Sequence, residues 1–262
     1  MDGMTLDRWV PFRNDGADVR CRLFCFPHAA GSAAFYRPLR RCMPAGIDFC
    51  PVELPGRGAR LDEPPFTSMR ALMEQLCHAL QPLMRVPFGF FGHSVGAWMA
   101  YQAARQLCSQ DGRAAVHLFV SGRGSPERAG AEPRPAPLRS DRELLAVLDR
   151  FGGTPAAVMQ RPELVAALLP ALRADLALAD AYVIAPGDRV TCPITALSGA
   201  DDRSYAGSLW SWSAFTRRGF RTCILPGGHF YFSPAPQALA DEIVRDLQAA
   251  ADARAAGVGS QP

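Results

Sequence analysis

The sequence predicts an α/β fold, a mostly parallel sheet with helices on both faces, and three observations carry that expectation. Short apolar runs alternate with stretches of helical periodicity along most of the chain, the pattern of parallel strands joined by crossover helices. A serine flanked by glycines, in GFFGHSVGAW at 89–98, stands where one such run meets a helical stretch. The 262 residues, 48% hydrophobic and 20% charged, suit one domain, 1–262, that carries an insertion.

Taken in order, RLFCF (22–26) reads as a buried strand ending at the turn PHAAGS, and IDFCPVEL (47–54) as a second ending at PGRG. TSMRALMEQLCHALQPLM (67–84) places Leu72, Leu76, Leu80 and Leu83 on one helical face behind a Thr67/Ser68 cap. PFGFF then runs into the glycine-flanked serine, and AWMAYQAARQLC continues as a helix. VHLFVSG (116–122), PITALSG (193–199) and FRTCILPGG (220–228) are the remaining strands. A closing helix spans 233–250, with Pro234 near its start and Leu239, Ile243 and Leu247 on one face.

Between Gly122 and Pro193 the alternation breaks. SPERAGAEPRPAPLRS precedes two helical patterns, RELLAVLDRF and PELVAALLPALRADLALADAYV. A helical insertion over about 123–186 is expected to lie over the carboxyl ends of the strands, where ligands bind in such sheets, and to act as a lid. The tail, about 253–262, reads as disordered.

Composition excludes several classes. Every one of the 28 basic residues is arginine, the net charge is +3 and the arginines form no run, so no nucleic-acid footprint is indicated. No apolar run approaches the about 20 residues of a membrane span, and MDGMTLDRWVPF has no secretory pattern. A cytoplasmic protein is therefore expected. The eight cysteines, at 21, 25, 42, 50, 77, 108, 192 and 223, show neither C-x-x-C pairs nor zinc-site spacing, and read as reduced. No metal or cofactor is expected.

A serine hydroxyl becomes a nucleophile only beside a base that takes its proton, an acid that orients the base and donors for the oxyanion. Gly92-His93-Ser94-Val95-Gly96 fits a sharp strand-to-helix turn, and in the α/β-hydrolase arrangement the acid and then the histidine follow later in the chain. SGADD follows the strand PITAL and supplies Asp202, with Asp201 as the alternative; LPGGHFYF follows the last strand and supplies His229. The oxyanion donors expected are the backbone N–H groups of Val95, just after the nucleophile, and of Ala29 in FPHAAGS. Of the other histidines, His78 and His117 read as structural, His93 as packing beneath the turn, and His28 as a secondary candidate bordering the site.

From near residue 22 to about residue 247, the stretches LFCFPHAAGSAAFYRPL, VELPGRGAR, FGHSVGA, FGGTPAAVMQRPELVAALLPALRAD, ALSGADD and LPGGHFYF together give the chain a likeness to a known family. It resembles the type II thioesterases, discrete editing hydrolases that accompany modular polyketide and nonribosomal peptide synthases. The resemblance implies hydrolysis of acyl thioesters on the phosphopantetheine arm of an acyl or peptidyl carrier protein, through an acyl-serine intermediate. It carries the triad to Ser94, Asp202 and His229, and the donors to Ala29 and Val95. Two departures stand out: the bulk of Trp98, which narrows the acyl pocket if it faces it, and Asp180, where the family often has glutamate. The same triad is compatible with an esterase or lipase, with an acyltransferase, and the fold with a carrier-binding module lacking turnover.

Overall fold

The computed structural model describes residues 3–110, 115–126, 139–154, 156–184, 188–204 and 208–255. Six parallel strands, β1 (Cys21–Phe26), β2 (Ile47–Pro51), β3 (Phe88–His93), β4 (Leu118–Ser121), β5 (Ile194–Gly199) and β6 (Phe220–Leu225), form one sheet in the order β2-β1-β3-β4-β5-β6. Because every pair is parallel, all six carboxyl ends lie along one edge. The chain reverses direction across the sheet between β1 and β3, which opens a crevice at that edge for a ligand.

The helices are α1 (Gly3–Trp9), α2 (Arg37–Arg41), α3 (Met69–Leu80), α4 (Val95–Gln110), α5 (Asp141–Phe151), α6 (Ala156–Met159), α7 (Pro162–Asp180) and α8 (Pro236–Ala255). Successive strand side chains point to opposite faces, and here both faces are apolar. Phe24, Phe26, Phe90, Leu118, Val120 and Ile194 join Trp9 of α1 and the buried faces of α3 and α4 on one side. Leu23, Cys25, Phe91, Phe119 and Leu197 meet Leu39 of α2 and Leu239, Ile243 and Leu247 of α8 on the other. The expected faces of α3 and α8 are thus the ones buried, while Leu83 lies in a 3-10 turn just past α3.

Ser68 caps α3, accepting the N–H of Ala71. A capping box starts α5: Ser140 accepts the Glu143 N–H, and the Glu143 carboxylate accepts the Ser140 N–H. Pro162 and Pro236 occupy the starts of α7 and α8, where a missing N–H costs nothing. The closing helix therefore begins at Pro236, not near Pro234, and continues to Ala255. Residues 256–262 of the expected tail, and 127–138 of the proline- and arginine-rich stretch, lie outside the described residues.

Helices α5 and α7 carry a small core of their own: Leu144, Leu148, Leu169 and Leu172, packed against Ala29 and Ala30 of the loop after β1. This third cluster seats the insertion on the carboxyl edge of the sheet. Of the described helices, none is long and apolar enough to cross a membrane.

Candidate active site

Ser94 sits between β3 and α4 with φ of 55°. Among the described residues the non-glycine positions with positive φ are Ser94 and Ala30, one in each of two loops meeting at the same cavity. Left-handed backbone at an L-residue is strained and persists only where the surroundings enforce it. At Ser94 the enforcement is visible: its N–H donates to the Ser121 carbonyl at 2.8 Å, while its own carbonyl accepts from the Ala97 N–H at 3.0 Å. A Cβ on Gly92 would fall 2.0 Å from the Gly96 carbonyl oxygen, and one on Gly96 would fall 2.4 Å from the carbonyl oxygens of Phe26 and Pro27. Both glycines are there because backbone approaches backbone at this turn.

Asp202 follows β5 and His229 follows β6, both nearly inaccessible to solvent. His229 Nδ1 lies 2.7 Å from Asp202 Oδ2. A carboxylate on Nδ1 fixes the tautomer that presents Nε2 as the basic nitrogen. Burial disfavours the charge on Asp202, but the hydrogen bonds from His229 and from the Ser204 N–H hold its pKa below the ordinary carboxylate value. Asp201 is exposed, and its N–H donates to the Gly227 carbonyl. Of the two adjacent aspartates, Asp202 is the one that meets the histidine.

Ser94, His229, Ala29 and Val95 line one cavity of about 240 Å³, roofed by Leu148 and Phe151 of α5 and Leu168, Leu172 and Leu176 of α7. The five residues expected at the site are therefore brought together, Asp202 from behind His229. Val95 is the first residue of a 16-residue helix, so the positive end of the helix dipole lies at the cavity. The Phe151 ring stands 4.8 Å from that of His229.

The other histidines divide as expected in part. His93 is fully buried; its Nδ1 lies 2.9 Å from Ser121 Oγ, which lies 2.8 Å from the Tyr231 hydroxyl. This bridge joins the last residues of β3 and β4 to the loop after β6, beneath the elbow. His28 lines the cavity between the rings of Phe35 and Phe230. His117 precedes β4 and meets Thr195 at 2.8 Å, whereas His78 is exposed on α3. Trp98 does not line the cavity; its ring lies under the Arg123 guanidinium, 3.9 Å away, and beside Tyr182. Arg123 is the residue that reaches the cavity wall, so Trp98 shapes it from behind. Asp180 also lines the cavity and pairs with Arg139.

Three of these histidines make stability depend on pH. Burial, then the nearby His229 and Arg57, lower His28 to about 3; burial and its histidine neighbours hold His93 well below the usual range; burial lowers His117 to about 4. In the unfolded chain all three take protons near pH 6.5, so between that pH and about 4 the unfolded state binds more protons. Stability then falls as pH falls through this range. Thermal melts between pH 7 and pH 5 are expected to show a progressive drop in Tm; a flat profile would contradict the burial assigned to these rings.

The sequence pattern of the thioesterase domain family matches residues 21–250. The chain belongs to that family. As a thioesterase it is a hydrolase acting on thioesters. Over 93% of its length it is 33% identical to the gramicidin S biosynthesis protein GrsT of Aneurinibacillus migulanus, of which 95% is covered. It is 33% identical to thioesterase PikA5 of Streptomyces venezuelae, over 96% of this chain and 89% of that one. The type II thioesterase BorB from the borrelidin biosynthetic cluster has the same fold, with a TM-score of 0.80 at 35% identity, covering 92% of this thioesterase and 98% of BorB.

Proposed function

We propose that this thioesterase clears aberrant or stalled acyl groups from the phosphopantetheine thiol of an acyl or peptidyl carrier protein, with Ser94, His229 and Asp202 as its catalytic triad. The observation that carries the reading is the convergence of an elbow serine, a carboxylate-bound histidine and an apolar roof on one small cavity. Likeness along nearly the whole chain to proteins named for gramicidin S and borrelidin biosynthesis supports the synthase setting.

In this reading Ser94 Oγ attacks the thioester carbon as His229 Nε2 takes its proton. The N–H groups of Ala29 and Val95 hold the oxyanion. Collapse breaks the C–S bond, and the thiol leaves with the proton from His229. A thiol with a pKa near 8.5 needs little help in leaving, so the second half, attack of a His229-activated water on acyl-Ser94, is the harder step. We assign α5–α7 as a lid whose leucines shelter the acyl chain. A cavity of about 240 Å³, below the usual range for drug-sized ligands, suits a short chain. Arg123 and Arg139 at its wall favour an anionic phosphopantetheine arm. The free thiols of Cys21, Cys25, Cys42, Cys50, Cys77, Cys192 and Cys223 fit a cytoplasmic setting.

The test is time-resolved intact-mass spectrometry of short-chain acyl carrier proteins mixed with the enzyme, run beside a free oxygen ester and an amine acceptor. Conversion of acyl carrier to free phosphopantetheine carrier, faster than cleavage of the oxygen ester, is the expected result. Carriers that stay loaded across several acyl groups would sink the reading; preferential oxygen-ester cleavage or condensed amide would instead identify an esterase or an acyltransferase.

A further inference from the structure

The turn that carries Ala29 is held by a residue of the insertion, 145 positions away in the chain. Asp175 of α7 accepts the Ala30 N–H on Oδ2 at 2.8 Å. The same carboxylate takes both terminal nitrogens of Arg57, Nη1 on Oδ2 at 2.5 Å and Nη2 on Oδ1 at 2.9 Å. Arg57 and Asp175 side chains are each only 3% exposed. Nothing in the hydrolytic steps uses this pair, yet it sits directly behind the oxyanion loop.

Its geometry says what it does there. Ala30 has φ of 58°, a conformation an alanine leaves unless something holds it. The Asp175 hydrogen bond is that restraint, aided by the Gly31 N–H closing back on the His28 carbonyl at 2.9 Å. At the far end of the loop the Ala33 N–H donates to Glu53 Oε1 at 3.2 Å. The Gly31 bond to the His28 carbonyl orients the His28–Ala29 peptide, which carries the Ala29 N–H, the Asp175 bond fixes the next peptide in the turn, and Ala29 lines the cavity. Arg57 in turn fixes the carboxylate, because a planar guanidinium bound at two points allows one orientation.

We propose that Asp175, clamped by Arg57, is a positioning residue that sets the oxyanion-binding turn and makes its geometry depend on where helix α7 sits. The inference rests on the assignment of Ala29 as an oxyanion donor. It does not make Asp175 a participant in proton transfer. It does mean that displacing this part of α7 removes the restraint on Ala30, so lid position and oxyanion stabilisation change together.

The test compares wild type with Asp175→Asn and with the double variant Arg57→Met/Asp175→Leu, which replaces a buried ion pair by apolar side chains without leaving either charge alone. Each is assayed for kcat and KM on an acyl carrier thioester and for inhibition by a trifluoromethyl ketone analogue, which forms a hemiketal oxyanion on the serine. The expected result is a fall in kcat of about 10- to 100-fold, KM within about twofold, and a loss of inhibitor affinity by a similar factor to kcat. A purely structural pair would lower the melting temperature without that matched loss. A folded double variant with kcat within about twofold of wild type overturns the inference, as does loss of the native circular dichroism spectrum in both variants, which would assign the pair to stability. A wild-type enzyme that forms no hemiketal or acyl adduct at Ser94 would instead overturn the triad assignment itself, and this inference with it.

Discussion

Replacing Ser94 with alanine is expected to lower kcat on an acyl carrier thioester at least about 10⁴-fold. The substitution removes the atom proposed to bond the acyl group, leaving substrate binding and the proposed Ala29 and Val95 N–H donors as the sources of acceleration. Folding should be little affected, because the bond from the Ser94 N–H to Ser121 is a backbone bond and alanine meets the same positive φ. Asp202→Asn should approach the same loss, since an amide on His229 Nδ1 permits the wrong tautomer. Asp201→Asn should leave kcat within about twofold, because that side chain is exposed and away from the histidine. Rapid-quench intact-mass measurements on the enzyme give the decisive readout. Wild type should show acyl mass on Ser94 before turnover and the Ser94→Ala chain none. An Asp201→Asn enzyme slower than Asp202→Asn would reverse the choice of acid.

That choice shows how much of the site was legible in the sequence. Parallel strands put all their carboxyl-end loops on one edge, so chain order and strand endings sufficed to gather Ser94, Asp202, His229, Ala29 and Val95. Periodicity located α3, α4, α7 and α8 because each buries one long apolar stripe, as Leu239, Ile243 and Leu247 do. It missed α1, α2 and the 3-10 segment Leu209–Phe215, which are too short to establish a period. The charged interior was also hidden. Arginines that form no run carry no sign of burial in the sequence, yet Arg22, Arg57 and Arg60 are buried, paired with Asp48, Asp175 and Glu63. A contact such as Arg57–Asp175 joins residues 118 positions apart and leaves no periodic trace. Even the segments PGRG and RAD, conspicuous as strings, do not announce that their charges meet. The side from which Trp98 approaches the cavity is likewise a property of packing, set by Arg123 and Tyr182.

Gly96→Ala should cost about 3 kcal/mol of stability and about 10²-fold in kcat. The added Cβ would stand 2.4 Å from two backbone carbonyl oxygens, those of Phe26 and Pro27. Neither can rotate away as a side chain would, because Phe26 ends β1 and is bonded into the sheet beside β3. The remaining response is for α4 and the chain after β1 to separate. Those two segments carry the two proposed oxyanion donors, Val95 at the start of α4 and Ala29 two residues past Pro27, so the same movement that relieves the clash spreads the donors. Stability and rate are therefore expected to fall together, which urea unfolding and kcat measured on one preparation can check. Gly219→Ala is the control: a Cβ there meets nothing within 4 Å, and both quantities should stay near wild type. If Gly96→Ala loses stability but keeps its rate, the donors do not depend on this approach, and the oxyanion turn must take its geometry from the Asp175 side alone.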